Sequence, residues 1–453
     1  MHLKDIINDN NRLFMEDRIP EEYKTDYFYH TVADMHAVAL PINTDEVIGL
    51  VKYSVQKDIP IVVRGAGTGV TGAQVPFVGG ELVIDMKLMN RILDLDEETM
   101  TLTVEPGVLL QDIQELVEQR GYFYPPDPGS KHSTIGGNVA TNAGGMRAVK
   151  YGTTRDYVRE LEVVLPDGNL VTLGSLNIKN SSGYDLKNLF IGSEGTLGIT
   201  TKIKLKLLSL PKYKQSILLA FDSLQEASNA VITILKNGIE PTALELFEKG
   251  TIEYSERYLN MKLQSQLGKA YILMTIDGND KDVLNHQIIT VNHLLSNKSR
   301  EIIVLGNDEE EKKAWKLRDN ILVALMQFTQ YEMLDEVVPI NKIAELINYT
   351  KELQDKHGIE VINFGHAGDG NIHTVLMKGD LSEDDWQMKR KAYLDDLYQK
   401  VGELGGLPSA EHGIGLLKKP YLEKMKNPVE LNLMKTIKNA IDPQNRLNPG
   451  KIF

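Results

Sequence analysis

The chain has no cysteine in its 453 residues. That absence removes disulfides, thiolate zinc sites, iron–sulfur ligation and cysteine nucleophiles together. Any metal must then be held by His, Asp or Glu. Positive charge is also short: 50 basic against 63 acidic residues leave a formal net charge of −13, with a pI near 5.4. Because the basic residues are scattered as well, a nucleic-acid partner is disfavoured. No apolar run approaches the length needed to span a bilayer, so no transmembrane segment is expected. The opening MHLKDIINDNNRLF carries acids and lacks a long apolar stretch, which predicts no secretory signal and a cytoplasmic protein. Peripheral membrane attachment through a partner stays open. There are no repeats and no low-complexity segments.

What is present is a globular composition, 42% hydrophobic and 25% charged, in a length that suits two or three domains. Residues 35–210 are rich in short β-like runs punctuated by Gly and Pro, among them IPIVVRGAG, ELVIDM and LEVVLPDGNLVTL. Two helices are predicted among them, TDEVIGLVKYSVQKD and LLQDIQELVEQRG, the second stopping at Gly121. This reads as one α+β domain. After Pro211 longer helices alternate with strands, from SILLAF and SLQEASNAVITILKNG to YILMTI and DVLNHQIITVNHLLSN, a rhythm that suggests an open sheet with helices packed on it. A further helix, SEDDWQMKRKAYLDDLYQKVGELGG, is capped by Ser382 and ends at Gly405 and Gly406.

The most informative segment is GHAGDGNIH at 365–373, followed by Glu411 and His412 in SAEHGIG. If Asp369 and Gly370 form a two-residue hairpin turn, Gly368 pairs with Asn371, Ala367 with Ile372 and His366 with His373. The two imidazoles then face each other, close enough to share one divalent metal, with Asn371 on the same face. A zinc, manganese or iron ion accepts two imidazoles and the Glu411 carboxylate while keeping positions open for substrate. A Gly-rich surface hairpin with two satisfied histidines and an unrelated acid fits the same letters. In an extended segment His412 points away from Glu411, as a general base beside the metal or as a structural histidine.

RGAGTGVTGAQVP holds a literal G-x-G-x-x-G at 67–72. A dinucleotide fingerprint needs a helix to open within the motif, yet this stretch runs into Pro76, Gly79 and Gly80 before the next strand. What survives is a string of backbone N–H groups suited to a phosphate or pyrophosphate, with Arg64 adjacent. A second small-residue cluster at 125–145 and a third, GSEGTLGIT, at 192–200 point to a large planar cofactor with a phosphate tail. Arg318 lies in DEEEKKAWKLRDNILVALMQF, read as one helix, at the changeover from charged to apolar residues. There a guanidinium can take a carboxylate, or simply face solvent.

In combination these motifs, RGAGTGVTGA, IGGNVATNAGG, GSEGTLGI, GHAGDGNIH, EHGIG and DPQNRLNPGKIF, resemble the flavin-dependent D-2-hydroxyacid dehydrogenases of the vanillyl-alcohol oxidase superfamily, which include FAD D-lactate dehydrogenases and the glycolate oxidase catalytic subunit. The resemblance implies an α+β fold: an FAD-binding domain of the vanillyl-alcohol oxidase (PCMH) type over 1–211, an inserted α+β cap domain carrying the hairpin over 212–408, and a C-terminal segment, 409–453, returning to the FAD domain. On that pattern Arg64, Gly65, Ala66, Gly67, Thr68 and Gly69 hold the FAD pyrophosphate. Pro126, Thr134, Gly137, Thr141 and Gly144 run along the cofactor, and Glu194, Gly198, Ile199 and Asn448 complete its site. Relatives with covalent flavin carry a His in the first loop where this chain has Thr68, so noncovalent FAD is expected. His366, His373 and Glu411 match the metal ligands, His412 the base, Arg318 the carboxylate anchor and Asn371 a residue near substrate.

The implied reaction is oxidation of a D-2-hydroxy acid to the 2-oxo acid with hydride passing to FAD. Electrons then leave to a separate acceptor, such as an electron-transferring flavoprotein, an iron–sulfur subunit or a quinone, or to oxygen. The positions after Arg318 are apolar Ile321 and Leu322, which favours D-lactate, glycolate or a similar small acid over D-2-hydroxyglutarate. A metal-dependent hydrolase and a noncatalytic flavin-binding subunit are the alternatives of another class. A homodimer is compatible with the chain.

Overall fold

The computed structural model describes residues 2–453, which form two compact units. One comprises residues up to Gly144, Thr153–Leu210 and Glu411–Phe453; the other comprises Gly145–Gly152 and Pro211–Ala410.

In the first unit β-branched runs make a four-stranded sheet in the order Leu13–Phe14, Met35–Ala39, Glu81–Asp85 and Ile61–Arg64, with the last three strands parallel. The crossover is the helix Thr44–Lys57. Asn43 starts it by accepting from Glu46 N at 2.9 Å, acids occupy its first turn, and Asp58 ends it in the left-handed region at φ 56°. Its inner face, Val47, Leu50 and Val51, packs against Ile61, Leu82 and Ile84. Each fully buried aliphatic of this kind contributes roughly 1.5–3 kcal/mol. The chain's C-terminal segment borders the same sheet, since Ile61 N donates to Arg446 O at 2.7 Å and Asn448 N donates to Ile61 O at 2.8 Å. A second, antiparallel sheet has the order Ile92–Asp96, Thr101–Val104, Ile199–Lys206, Val158–Val164 and Leu170–Gly174.

The second unit is built on one eight-stranded sheet. Its path is Glu301–Leu305, Tyr213–Phe221, Ala270–Gly278, Ala243–Glu248, Glu360–His366, Asn371–Met377 and Tyr331–Met333, with Glu336–Val337 also paired to Asn371–Met377. Every ladder is antiparallel. The expected helices appear as Leu224–Lys236, Lys281–Leu295 and Glu383–Glu403, the last capped by the Ser382 hydroxyl accepting from Asp385 N at 3.2 Å.

One local expectation is corrected. The helix expected over 308–328 breaks into Asp308–Asp319 and Ile321–Met326 at Asn320, whose side chain bonds back to Lys316 O at 2.8 Å and competes with the helical backbone. The small-residue stretch after Pro125, which no hydrophobic period organises, contains the helix Ile135–Thr141, because Thr134 caps it onto Gly137 N at 3.3 Å and Asn142 ends it at φ 54°. No helix among the described residues is long and apolar enough to cross a membrane.

Candidate functional site

The two histidines of the second unit lie on adjacent strands, but not in the expected register. His366 pairs with Asn371 and His373 with Phe364, so residues 367–370 make a four-residue connection in place of the two-residue turn. The turn is longer because Gly370, at φ 89°, sits tight against Val338 O, and Val338 N donates back to Gly370 O at 3.1 Å. The slip moves the ladder by two, and an even slip keeps every side chain on its face. His366, Asn371 and His373 therefore still share one face, with the two rings diagonal. Their centroids are 5.2 Å apart and their planes nearly perpendicular, with Nε2 3.4 Å from Nε2.

The outer ring nitrogens have their own acceptors. His366 Nδ1 is 2.7 Å from Glu245 Oε1, and His373 Nδ1 is 3.4 Å from Leu334 O. Carboxylates and carbonyls only accept, so each Nδ1 directs its hydrogen outward and the two Nε2 atoms are turned toward each other. With both rings neutral, two lone pairs facing at that distance in buried side chains would repel. A shared cation removes the conflict; so does a second proton on one ring.

Two carboxylates absent from the sequence reading organise this face. Glu245, on the central strand Ala243–Glu248 and fully buried, accepts from His366 and from Arg318 Nη2. Burial alone drives its carboxyl toward protonation, but the charges of Arg318 and His366 outweigh that and hold it below its ordinary range. Asp335, equally buried, accepts from Asn371 Nδ2 at 3.0 Å, Ser409 Oγ at 2.6 Å and Ala410 N at 3.0 Å. It thereby fixes both Asn371 and the backbone leading to Glu411. No local signal marks either residue, since their partners come from distant strands and helices.

Arg318 sits in the last turn of its helix, 11% exposed, with its guanidinium 5.8 Å from the centre of the Phe364 ring. Part of its fork is committed to Glu245. Ile321 belongs to the core cluster and Leu322 packs against it, so their apolar character is accounted for by packing. Their apolar side chains therefore do not bear on the size of a substrate.

Glu411 and His412 belong to the first unit. The segment is bent and not extended, and His412 Nε2 lies 3.9 Å from Glu411 Oε1, so the expected opposition of the two side chains is overturned. The following residues are tied down on two sides. Glu194 accepts from Ile414 N at 2.6 Å and Gly415 N at 2.8 Å, and Thr71 O accepts from Leu416 N at 2.8 Å. Burial pushes the Glu194 carboxyl up against the pull of those two donors.

The three Gly-rich loops meet in this unit. Gly65 lies so close to Thr134 Oγ1 that no β-carbon fits between them. Glu194 N donates to Ala140 O at 2.8 Å, Asn448 takes Val63 N at 2.9 Å, and Asn448 Nδ2 donates to Glu194 O. Residues 65–80 contain no helix, in keeping with the loss of the nicotinamide reading. What remains is a cradle of bare backbone, suited to an extended phosphate-bearing cofactor. Several of the residues expected at the cofactor also have partners within the protein. Arg64 is buried beneath its loop, donating to Thr25 O at 3.3 Å over the Tyr23 ring. Glu194 holds the EHGIG segment. Gly198 abuts Val163 and Phe190, and Ile199 is in the core. Pro126 offers its carbonyl to Gln114 Nε2 at 3.1 Å, while Gly144 faces Glu411 Oε2.

Residues 35–174 match the family model described as FAD binding domain, and residues 210–452 match that of FAD linked oxidases, C-terminal domain. The chain is 40% identical to a D-lactate dehydrogenase of Anaerostipes hadrus, covering 97% of this chain and 94% of that one. It is 38% identical to glycolate oxidase subunit GlcD of Bacillus subtilis, covering 96% and 92%, and 33% identical to a D-2-hydroxyglutarate dehydrogenase of Xanthomonas citri, covering 98% and 94%. Among solved structures, p-cresol methylhydroxylase with substrate bound superposes at a TM-score of 0.81 with 16% identity, over 99% of this chain and 95% of that one. A 4-ethylphenol oxidase from Gulosibacter chungangensis gives 0.79 with 18% identity, over 99% and 95%. These two show the fold alone, the α+β fold of p-cresol methylhydroxylase.

Proposed function

Because the chain belongs to the FAD-linked oxidases and is an oxidoreductase acting on CH–OH donors, we propose that it oxidises a small D-2-hydroxy acid, D-lactate or glycolate, to the 2-oxo acid with the help of a divalent metal. FAD bound noncovalently along residues 64–69, 134–144 and Asn448 supplies the two-electron acceptor for the hydrogen on the substrate's α-carbon. A zinc, manganese or iron ion held by His366, His373 and Glu411 would supply Lewis-acid polarisation of the substrate hydroxyl. The observation that carries the metal is the pair of buried Nε2 atoms 3.4 Å apart, with both Nδ1 atoms turned outward to acceptors.

The chain's own residues divide the remaining work. Arg318 pairs with the substrate carboxylate through the N–H groups not engaged by Glu245. His412 takes the hydroxyl proton at a ring nitrogen as the carbonyl forms, in a segment that Glu194 and Thr71 keep from drifting. Asn371, pinned by Asp335, faces the same space as the two histidines. With no cysteine in the chain, the electrons pass on to a separate acceptor, an electron-transferring flavoprotein, an iron–sulfur subunit or a quinone. Lactate or glycolate is preferred over 2-hydroxyglutarate because the 40% and 38% identities exceed the 33%.

The test is anaerobic mixing of the purified flavoprotein with D-lactate, L-lactate, glycolate and D-2-hydroxyglutarate, before and after chelation. Bleaching of the flavin by D-lactate or glycolate, lost on chelation and restored by metal, is expected. Bleaching by none of the D-acids overturns the reaction, and full bleaching after verified metal removal overturns the metal.

A further inference from the structure

Glu245 touches both the arginine assigned to the substrate and a histidine assigned to the metal. It stands 73 residues before Arg318 and 121 before His366 in sequence, and the central strand Ala243–Glu248 brings it to both. Strand pairing sets it directly opposite His366. One oxygen, Oε1, takes His366 Nδ1 at 2.7 Å; the other, Oε2, takes Arg318 Nη2.

Each half of this bridge has a chemical consequence. An acceptor on Nδ1 holds the hydrogen there, leaves Nε2 as the donor atom and fixes the plane of the ring. Pairing with Arg318 fixes one edge of the guanidinium fork and leaves its other N–H groups to present as a unit. A fully buried carboxylate is costly unless both oxygens are satisfied, and here each oxygen has a cationic or N–H partner. Neither partner can be supplied with an acceptor by an amide at this position without turning the amide's NH2 group against the other.

We propose that Glu245 is a positioning residue that couples the metal ligand His366 to the carboxylate anchor Arg318, so that one side chain sets both metal affinity and substrate affinity. This rests on the reading of His366 as a metal ligand given above. The consequence is that the two affinities move together when Glu245 is changed.

The experiment uses full-length, flavin-loaded protein stripped with chelator and titrated with Co2+, read from the d–d absorption of the bound ion. KM for D-lactate and glycolate is then measured at saturating metal. In Glu245→Gln the Co2+ affinity falls about 10- to 100-fold, the scale of lost outer partners of ligating histidines, and KM rises, while flavin content matches that of the unaltered protein. Glu245→Asp keeps the charge but is one methylene too short to span both partners. It impairs at least one of the two affinities, and it decides the matter should Glu245→Gln fail to fold. If the unaltered protein binds no Co2+, both the metal reading and this coupling fall. If it binds Co2+ and the folded variants match it in Co2+ affinity and KM, the coupling alone falls.

Discussion

His366 and His373 bring their Nε2 atoms to 3.4 Å while Glu245 and Leu334 hold their Nδ1 atoms outward. The metal proposed above would sit between them. His366→Ala and His373→Ala should each remove most bound metal, measured by elemental analysis after gel filtration. Turnover should drop by about a hundredfold or more, the scale of several kcal/mol of lost Lewis-acid stabilisation. The flavin spectrum should stay unchanged, because neither ring belongs to the loops assigned to FAD. Metal content equal to that of the unaltered protein in both variants would sink the assignment.

His412→Ala should separate chemistry from binding. Metal and flavin content are expected to hold, while the rate of anaerobic flavin reduction falls about 10²- to 10⁴-fold, the range of a general base. A reduction rate within a factor of two would show that another group takes the proton.

Glu194→Gln keeps the shape of the side chain but leaves an NH2 group facing one of the two N–H donors, Ile414 N or Gly415 N. A buried donor left without its acceptor costs about 1–3 kcal/mol. A lower thermal midpoint is expected together with a slower flavin reduction, because the segment it secures begins just past His412. Unchanged stability and rate would mean that Thr71 holds the segment by itself.

Gly370→Ala introduces a β-carbon at φ 89°, against Val338 O. Left-handed strain accounts for about 1–2 kcal/mol, and the collision adds to it. The loss should exceed that strain in denaturant unfolding, and metal affinity should fall as the hairpin shifts. Gly379→Ala, at φ 53° with nothing within 4 Å of its β-carbon, serves as the strain-only control.

Lys451 is buried near the end of the chain, donating to Gly72 O at 3.1 Å and to Val75 O, and burial pushes its amine down to about 8. Its folded value lies below that of an unfolded lysine, so between about pH 8 and 10 the unfolded chain holds more protons. The contribution of this group to stability therefore rises with pH through that window, by on the order of 1–2 kcal/mol. Chemical denaturation of the unaltered protein and Lys451→Met at pH 7.5 and 9.5 should show the difference moving in favour of lysine at the higher pH. A difference that does not change with pH, or moves the other way, refutes the sign.

Much of the site was legible because its signals are local or depend only on parity. The cap at Ser382, the stop at Gly121 and the absence of a helix after Gly67 are read from neighbours in sequence. The shared face of His366, Asn371 and His373 survived a wrong turn length because the slip was even. The break at Asn320 was missed because helical spacing continues across it, and only a side-chain bond to Lys316 O interrupts the backbone. The bend at Glu411 and His412 was missed because it is set by Glu194 and Thr71, which are far away in sequence.

By itself, then, the sequence determined the order of the motifs, the positions where the backbone lies bare, the donor types available to a metal and the face on which two of them stand. All of these follow from residue identity and short-range geometry. Only the tertiary structure decided that Glu245 joins Arg318 to His366, that Asp335 holds Asn371 and the backbone before Glu411, and that Glu194 serves the EHGIG segment. Those partners are set by strand order and helix packing, where a buried carboxylate is stable only beside the donors the fold brings to it.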